Sequence, residues 1–324
     1  MSEHPRDRFD LIPDAGAEAA FVDALDRGRL HHAWLLCGVE GLGKATFAYR
    51  AARRLLGGRP DEGRGPLGTR PDDPVSRLIS AQSHPDLLVL ERLVEGGKTK
   101  KSISVEQARD LPEFFSKSPS QAEYRVAIVD AADDLNVNAA NALLKILEEP
   151  PERGVLFLVT HAPGRLLATI RSRCRRLAFP VWPEAALADL VRSHMGMDGA
   201  EAARIAGMAG GSPGAALNLS SAVTLEIDAL VRGWVDAPSV DRAEQLALAD
   251  TFRGGEGQAK FDMVLDRLLA AVKTRAVEAP AGQGARWAEL WTRLSELPDR
   301  TAGLNMDRGD ALAGALADLA RTRG

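Results

Sequence analysis

A glycine-rich loop between a short apolar run and an amphipathic segment is the feature that most constrains the fold of this chain. The run from Ala33 to Cys37 (AWLLC) predicts a buried strand, and the segment that follows residue 44 has apolar residues at helical spacing. Between them, residues 38–46 read GVEGLGKAT, close to the phosphate-binding pattern G-x-x-x-x-G-K-[ST]. Strand, loop and helix in this order predict the phosphate-binding corner of an α/β protein.

The loop matches that pattern only in part. Gly38, Gly43 and Lys44 stand at their expected places, where glycines turn backbone N–H groups towards phosphate and the lysine adds a positive charge. The next residue normally gives a hydroxyl to Mg²⁺, but here it is Ala45. Thr46 comes one residue late, about 100° around the helix. We therefore predict a degenerate nucleotide site; the alternative is a loop that only turns a strand into a helix.

The acidic residues expected opposite the loop are also incomplete. Residues 125–129 (RVAIV) predict a strand that ends at Asp130, the natural position of the acid that organises the metal. Where ring ATPases normally place a water-polarising Glu, this chain has Ala131. We interpret Asp133 and Asp134 as helix caps or solvent-facing residues. Thr160 is either a cap or, as the family resemblance described below implies, a polar sensor of the nucleotide. The predicted site comprises Gly38, Gly41, Gly43, Lys44, Ala45, Thr46, Asp130 and Thr160.

The remaining patterns predict the fold class. Residues 87–90, 155–160 and the end of 171–179 are further short apolar runs, separated by helical segments. Strands that alternate with helices indicate an α/β P-loop domain with a parallel sheet and helices on both faces. Residues 57–74, rich in Gly, Pro, Asp and Arg, predict an exposed loop or insertion. Beyond Pro180 the chain reads as helices throughout, which predicts a helical bundle.

Length and composition limit the possible functions. With 324 residues, the chain is too long for a single ordinary core, so we expect two or three domains. A net charge of −4 indicates that any DNA contact is local or shared with partners. The two cysteines, Cys37 and Cys174, cannot form a four-cysteine zinc site. No apolar run is long enough to cross a membrane, and the N-terminus lacks a signal peptide's apolar core, so we expect a cytoplasmic protein.

Several longer strings carry a resemblance to a known family. SHPDLLVL, RVAIVDAADDLN, NALLKILEEPPE, FLVTHAP and RSRC together resemble the delta-prime family of bacterial DNA polymerase III clamp-loader subunits, most strongly over residues 30–179. The resemblance implies three domains: an AAA+ P-loop domain over 1–180, a small helical lid over 181–222 and an all-α collar over 223–324.

The resemblance also implies partners and an outward-acting arginine. Members of this family form a ring with delta and tau/gamma subunits, and the ring loads the sliding clamp onto primer-template DNA with ATP bound by tau/gamma. Their Ser-Arg-Cys arginine reaches into a neighbour's ATP site, where it neutralises phosphate charge. In this sequence that residue is Arg173, with Ser172 and Cys174 at the same interface. The alternative is that RSRCRR forms an ordinary basic rim or contacts DNA phosphates.

Two departures from the family pattern bear on nucleotide chemistry. Active relatives have a lid arginine in a Gly-Ser-x-Arg pattern, whereas residues 211–214 read GSPG here. Many delta-prime and gamma chains carry a four-cysteine zinc module, whereas residues 57–74 contain no cysteine, so we expect no zinc.

We therefore predict a subunit that hydrolyses ATP barely or not at all and has no independent catalysis, although its loop could still hold ATP or ADP. One alternative is an active AAA+ ATPase that tolerates Ala45, because Lys44 and Asp130 remain. The other is a related DNA-remodelling motor, which the missing Glu and the lack of an added DNA-binding domain disfavour.

Overall fold

The computed structural model divides the chain into two compact units. They comprise residues 1–216 and 217–324. The described residues are 4–11, 15–95, 98–100, 102–219, 222–237, 240–254, 257–280 and 283–323. The predicted domain boundaries, after residues 180 and 222, stay predictions.

A five-stranded parallel sheet lies at the centre of the first unit. Its strands are β1 Ala33–Cys37, β2 Leu87–Glu91, β3 Arg125–Asp130, β4 Gly154–Thr160 and β5 Arg175–Ala178. They lie in the order β2-β3-β4-β1-β5, and every neighbouring pair is parallel. The register sets Cys37 beside Thr160 and Glu91 beside Asp130. The carboxyl ends of these four strands therefore lie at the same end of the sheet. The prediction of a parallel P-loop sheet is confirmed.

Both faces of this sheet are covered, as the unbroken apolar strands predicted. Successive side chains of a strand point to opposite faces. Leu36 and Ile128 accordingly belong to one buried cluster, and Leu35 and Ala127 to another. Full burial of one such leucine contributes about 1.5–3 kcal/mol. The two clusters therefore fix the sheet between two helical layers.

Nine helices belong wholly or partly to the described residues of this unit. They are α1 Ala15–Asp26, α2 Lys44–Leu55, α3 Pro74–Ser80, α4 Val105–Ser116, α5 Val137–Glu148, α6 Ala168–Arg171, α7 Glu184–Met195, α8 Gly199–Met208 and α9 Pro213–Leu219. The boundary between the units falls inside α9. The sequence patterns predicted α2 and α5 but not α1, whose Phe21 is fully buried beside Trp34.

The segment 57–74 is irregular, as predicted, but it is not simply exposed. A one-turn 3₁₀ helix, Glu62–Arg64, is followed by Leu67 and Thr69, and the side chains of these two residues are buried. The expectation of exposure is wrong there because the segment folds back onto the core. Among the described residues, no cluster of three or more His, Cys, Asp or Glu side chains is arranged to hold a metal ion.

A buried ion pair holds this segment against the first two helices. The carboxylate of Glu18 accepts hydrogen bonds from Arg50 Nε at 2.6 Å and Nη2 at 3.2 Å, and from the backbone N–H of Leu67 at 3.3 Å. Arg50 also donates to the carbonyl oxygen of Arg64 at 2.5 Å and to that of Phe9. Glu18 is 3% exposed and Arg50 is 1% exposed. The pair therefore ties α1, α2, the N-terminal segment and residues 57–74 together in a dry interior.

We expect Glu18→Ala to lower the free energy of unfolding by about 3–5 kcal/mol, because it leaves the Arg50 charge buried without a counter-ion. Asp23→Ala is the matched control, since the Asp23–Arg27 pair has the same chemistry but lies in solvent, with both side chains more than half exposed. Its loss should be below about 1 kcal/mol. Urea denaturation of both variants checks the prediction, and equal losses would contradict it.

The second unit is built from helices. They are α10 Ala222–Asp236, α11 Arg242–Asp250, α12 Gly257–Glu278, α13 Gly284–Ser295, α14 Leu297–Gly303 and α15 Arg308–Arg323. Phe261, Leu268 and Leu290 are fully buried in its core. Trp287 joins that core, whereas Trp291, one turn later, is 39% exposed. The prediction of a helical C-terminal region is confirmed.

Among the described helices, none alone combines the length and apolar composition needed to cross a membrane. One bent pair, Pro213–Leu219 with Val223–Asp236, meets these criteria when its two members are taken together.

Candidate nucleotide loop and arginine site

The glycine loop connects the end of β1 to the start of α2, at the edge of the sheet where the strands end. Gly38, Gly41 and Gly43 all have positive φ angles, of 153°, 78° and 80°. Lys44 is the first residue of α2, and Gly43 occupies its N-cap position. The predicted strand–loop–helix arrangement is therefore present in this unit.

Lys44 turns inwards to its own loop. Its ammonium group donates to the carbonyl oxygen of Val39 at 2.5 Å, and the residue is 3% exposed. Burial lowers the pKa of this amine to about 8, although the nearby charges of Asp130 and Glu40 act in the opposite direction. The lysine that would bind phosphate is thus engaged by backbone of the same loop.

The residue after Lys44 offers no metal ligand to the loop. Ala45 packs its methyl group against the core cluster. Thr46, which follows it in α2, is 4% exposed and stands one residue beyond the position of the usual ligand. Mg²⁺ prefers oxygen ligands in near-octahedral geometry, and a methyl group supplies none.

Asp130 ends β3 at the same edge of the sheet as the loop. Burial raises the pKa of its carboxyl, while the charges of His161 and Lys44 act to lower it. Ala131 follows and is buried, so no carboxylate stands at the position next to Asp130. At this end of the strands the chain therefore has the acid that organises the metal, but it lacks the acid that polarises the attacking water.

The predicted sensor, Thr160, is bonded within the protein. Its hydroxyl donates to Asp133 Oδ1 at 2.7 Å, and the backbone N–H of His161 donates to Asp133 Oδ2 at 2.5 Å. The interpretation of Asp133 as a helix cap or solvent-facing residue is wrong, because Asn136 caps α5 through the N–H of Ala139 at 2.9 Å. The bonded partners of Asp133 lie 27 and 28 residues away, and no local pattern reveals them.

The short turn that begins α9 lies directly on the glycine loop. Ser212 Oγ donates to the carbonyl oxygen of Glu40 at 2.8 Å, and the N–H of Gly214 donates to that of Gly41 at 2.9 Å. A Cβ atom on Gly214 would lie 2.8 Å from the Cα of Gly41, so the two glycine backbones are in direct contact. The three consecutive carbonyl groups of residues 39–41 all accept hydrogen bonds from this chain's own donors.

The N-terminal segment reaches the other side of the loop. A Cβ atom on Gly43 would lie 2.5 Å from Leu11 Cδ1. Buried Arg53 holds this segment, because its guanidinium group donates to the carbonyl oxygens of Arg6 and Arg8 and stacks on the ring of Phe9 at 4.2 Å. The loop is thus contacted by protein at Gly41 and at Gly43.

Arg173 lies at the opposite end of the sheet, where the strands begin. It precedes β5 by two residues, and the register pairs Arg175 with Trp34, near the start of β1. The glycine loop begins after Cys37, at the end of β1. Five strand residues span about 16 Å, so Arg173 and the chain's own loop are separated by the length of β1.

Two acceptors on two different elements hold the Arg173 guanidinium group. Its Nη2 lies 3.0 Å from Glu148 Oε1, and its Nη1 donates to the carbonyl oxygen of Thr169 at 3.1 Å. The Arg173 side chain is 36% exposed and that of Glu148 is 52% exposed. The arginine is therefore fixed in orientation but open to solvent.

The two neighbours of Arg173 have different surroundings. Ser172 is exposed and donates through its hydroxyl to the carbonyl oxygen of Thr169 at 3.1 Å. Cys174 packs against the core cluster beneath the sheet, and burial raises the pKa of its thiol to about 12. Cys174 therefore serves to anchor the turn, while Ser172 and Arg173 face outwards.

We expect Gly214→Ala to destabilise the protein by about 1–3 kcal/mol, because the added methyl group forces the two glycine backbones apart. Helix propensity alone predicts the opposite sign, a gain of up to about 1 kcal/mol. Gly233→Ala, inside α10, is the matched control, since a Cβ atom there meets nothing within 4 Å. Thermal denaturation of both variants checks the signs, and a stabilised Gly214→Ala protein would contradict the close contact.

Fold and loop together define a class. A protein with a parallel sheet in this order, a glycine loop after the interior strand β1 and a small helical segment in contact with that loop is a P-loop protein of the AAA+ class. A solved structure from Thermotoga maritima, described as a DNA polymerase III gamma subunit-related protein, agrees in fold. Its TM-score is 0.50 at 18% identity, covering 94% of this chain and 100% of that chain.

Sequence comparisons identify the family. The family described as "DNA polymerase III, delta subunit" matches residues 14–182. The delta-prime subunit of Pseudomonas aeruginosa is 33% identical over 259 residues, which cover 80% of this chain and 76% of that protein. A gamma/tau subunit of Mycobacterium tuberculosis is 34% identical over 179 residues, covering 55% of this chain and 29% of that protein. This chain belongs to the delta-prime family of DNA polymerase III clamp-loader subunits.

Proposed function

We propose that this chain is a stator subunit of the DNA polymerase III clamp loader that hydrolyses ATP barely or not at all. In this role it holds a fixed conformation within the ring and supplies Arg173 to the ATP site of a neighbouring subunit. It has no independent catalysis and acts as part of the polymerase III holoenzyme.

One observation carries the first half of this proposal. Two groups that hydrolysis needs are absent from the loop and from the strand end beside it. Ala45 supplies no oxygen at the position that normally binds Mg²⁺, and Ala131 supplies no carboxylate next to Asp130 to polarise the attacking water. Their absence supports a subunit that turns over ATP barely or not at all.

The position of Arg173 supports the second half. An arginine supplied in trans stabilises charge on a transferring phosphoryl group and makes hydrolysis depend on contact between subunits. Arg173 is exposed, held by Glu148 and Thr169, and lies a strand length away from its own loop. This placement favours an action on a neighbour over an action within the chain.

The proposed partners follow from the family. They are the tau/gamma and delta subunits, with the sliding clamp and primer-template DNA contacted through the complex, in the cytoplasm. A relative named gamma/tau matches 55% of this chain, which supports a ring built from similar subunits. The net charge of −4 supports a DNA contact shared with those subunits rather than made by this chain alone.

An active ATPase is the alternative, and Lys44 and Asp130 are the residues that favour it. We expect the purified chain to show no ATP turnover above background, and a reconstituted loader with Lys44→Ala to keep its DNA-stimulated ATPase rate within about twofold. The reason is that a loop without an oxygen ligand at Ala45 and a catalytic carboxylate at Ala131 contributes no turnover for Lys44 to support. The positive control is the same substitution in the loop lysine of the tau/gamma subunits, which should abolish turnover. A rate from the isolated chain that Lys44→Ala removes would establish the alternative.

Arg173→Ala tests the trans arginine. We expect the reconstituted loader to assemble normally but to hydrolyse ATP at the adjacent site at least tenfold more slowly, because charge on the phosphoryl group is no longer neutralised. Single-turnover phosphate release, stimulated by clamp and DNA, measures this rate. Arg171→Ala is the matched control, since it removes the same charge from the same turn. Unchanged turnover by the Arg173→Ala loader would remove the role assigned to this residue.

A further inference from the structure

The carboxylate that holds Arg173 belongs to the last residue of a different element. Glu148 ends α5, and Arg173 lies 25 positions later, in the turn after α6. Their side chains meet at 3.0 Å, while the Thr169 carbonyl group holds the second terminal nitrogen of the guanidinium. The outward-facing arginine is thus held at two points, by a side chain of α5 and by a backbone carbonyl group of α6.

The location of Glu148 gives it no evident purpose in its own helix. The carboxyl end of a helix carries partial negative charge, so a glutamate there is locally unfavourable. Arg173 brings a positive charge to this end and compensates both the carboxylate and the helix terminus. The contact with Arg173 is therefore the favourable interaction that Glu148 makes at this position.

These two contacts leave the arginine able to bind a further acceptor. A guanidinium group has five N–H donors, and the contacts with Glu148 and Thr169 use two of them. Arg173 makes no other side-chain hydrogen bond within the described part of the chain. The three remaining donors can bind phosphate oxygens while the contacts with Glu148 and Thr169 stay in place.

We propose that Glu148 is a positioning residue that presents Arg173 to the neighbouring ATP site in a fixed orientation. This inference rests on the proposed trans role of Arg173. A free arginine side chain samples many rotamers. Ordering it against the phosphoryl group of the neighbouring site therefore costs conformational entropy and raises the barrier to hydrolysis. Glu148 removes part of that cost beforehand, so its loss slows hydrolysis without changing how the neighbour binds ATP.

The test is a double-mutant cycle in the reconstituted loader. Glu148→Ala, Glu148→Gln and Arg173→Ala are made singly, and each Glu148 variant is also combined with Arg173→Ala. Glu149→Ala is the matched control, since it removes the same charge one residue later and its side chain has no partner among the described residues. Subunit assembly, the KM for ATP and single-turnover phosphate release are measured for every complex.

We expect Glu148→Ala to slow phosphate release at the adjacent site about three- to tenfold, with the KM for ATP and assembly unchanged. Glu148→Gln should recover part of the rate, because an amide oxygen still accepts the Arg173 hydrogen bond. Neither variant should slow the reaction further in the Arg173→Ala background. Glu149→Ala should match the unmodified loader.

Three outcomes would overturn the proposal, and they are distinguishable. If Arg173→Ala slows the reaction but Glu148→Ala behaves like Glu149→Ala, then Arg173 acts without positioning by Glu148. If Glu148→Ala is equally harmful with and without Arg173, then Glu148 acts independently of the arginine. If Arg173→Ala itself has no effect, then the proposed trans role fails, and the role of Glu148 fails with it.

Discussion

The backbone contact between the glycine loop and the first turn of α9 decides what the rest of the first unit can do. Gly214 is the second residue of α9, so its N–H is one of the helix-terminal donors that have no partner within the helix. The Gly41 carbonyl group supplies that partner, and Ser212 caps the next donor, the N–H of Ala215. Ser212 and Gly214 also donate to the carbonyl oxygens of Glu40 and Gly41. These hydrogen bonds tie the first turn of α9 to the glycine loop.

The two edges of the sheet consequently have different tasks. At the carboxyl edge, Asp133 bonds to Thr160 and Lys44 bonds to Val39, so the polar groups that usually serve a nucleotide stabilise the fold. At the amino edge, Arg173 remains solvent-accessible and is oriented by its neighbours. This division between internal hydrogen bonds at one end of the strands and an accessible arginine at the other agrees with the stator role proposed above.

The sequence predicted the features that depend on local pattern and missed those that depend on distant contacts. Buried parallel strands are apolar throughout, so β1, β3 and β4 were evident from composition and length alone. The helix α1 was missed because its alanine-rich sequence has no strong apolar stripe. The contacts of Asp133 and Ser212 were also missed, since Ser212 bonds to a residue 172 positions away. The family resemblance predicted a trans role for Arg173, which stays a prediction, and the contact of this residue with Glu148 could be seen only in the structure.

The pattern of retained and lost residues in the loop has a physical reason. Gly41 keeps a close contact with α9 that a side chain would block, and Gly43 keeps a left-handed φ of 80° beside Leu11. Lys44 bonds within the loop, so these three positions are constrained by folding even where no nucleotide binds. A hydroxyl at position 45 would have served only the metal, and nothing in the fold requires one there. A glycine loop whose residues also serve the fold is therefore, by itself, weak evidence of ATP turnover. The proposed role of Arg173 has a different basis, since this side chain is partly exposed and its contacts with Glu148 and Thr169 leave three N–H donors unused.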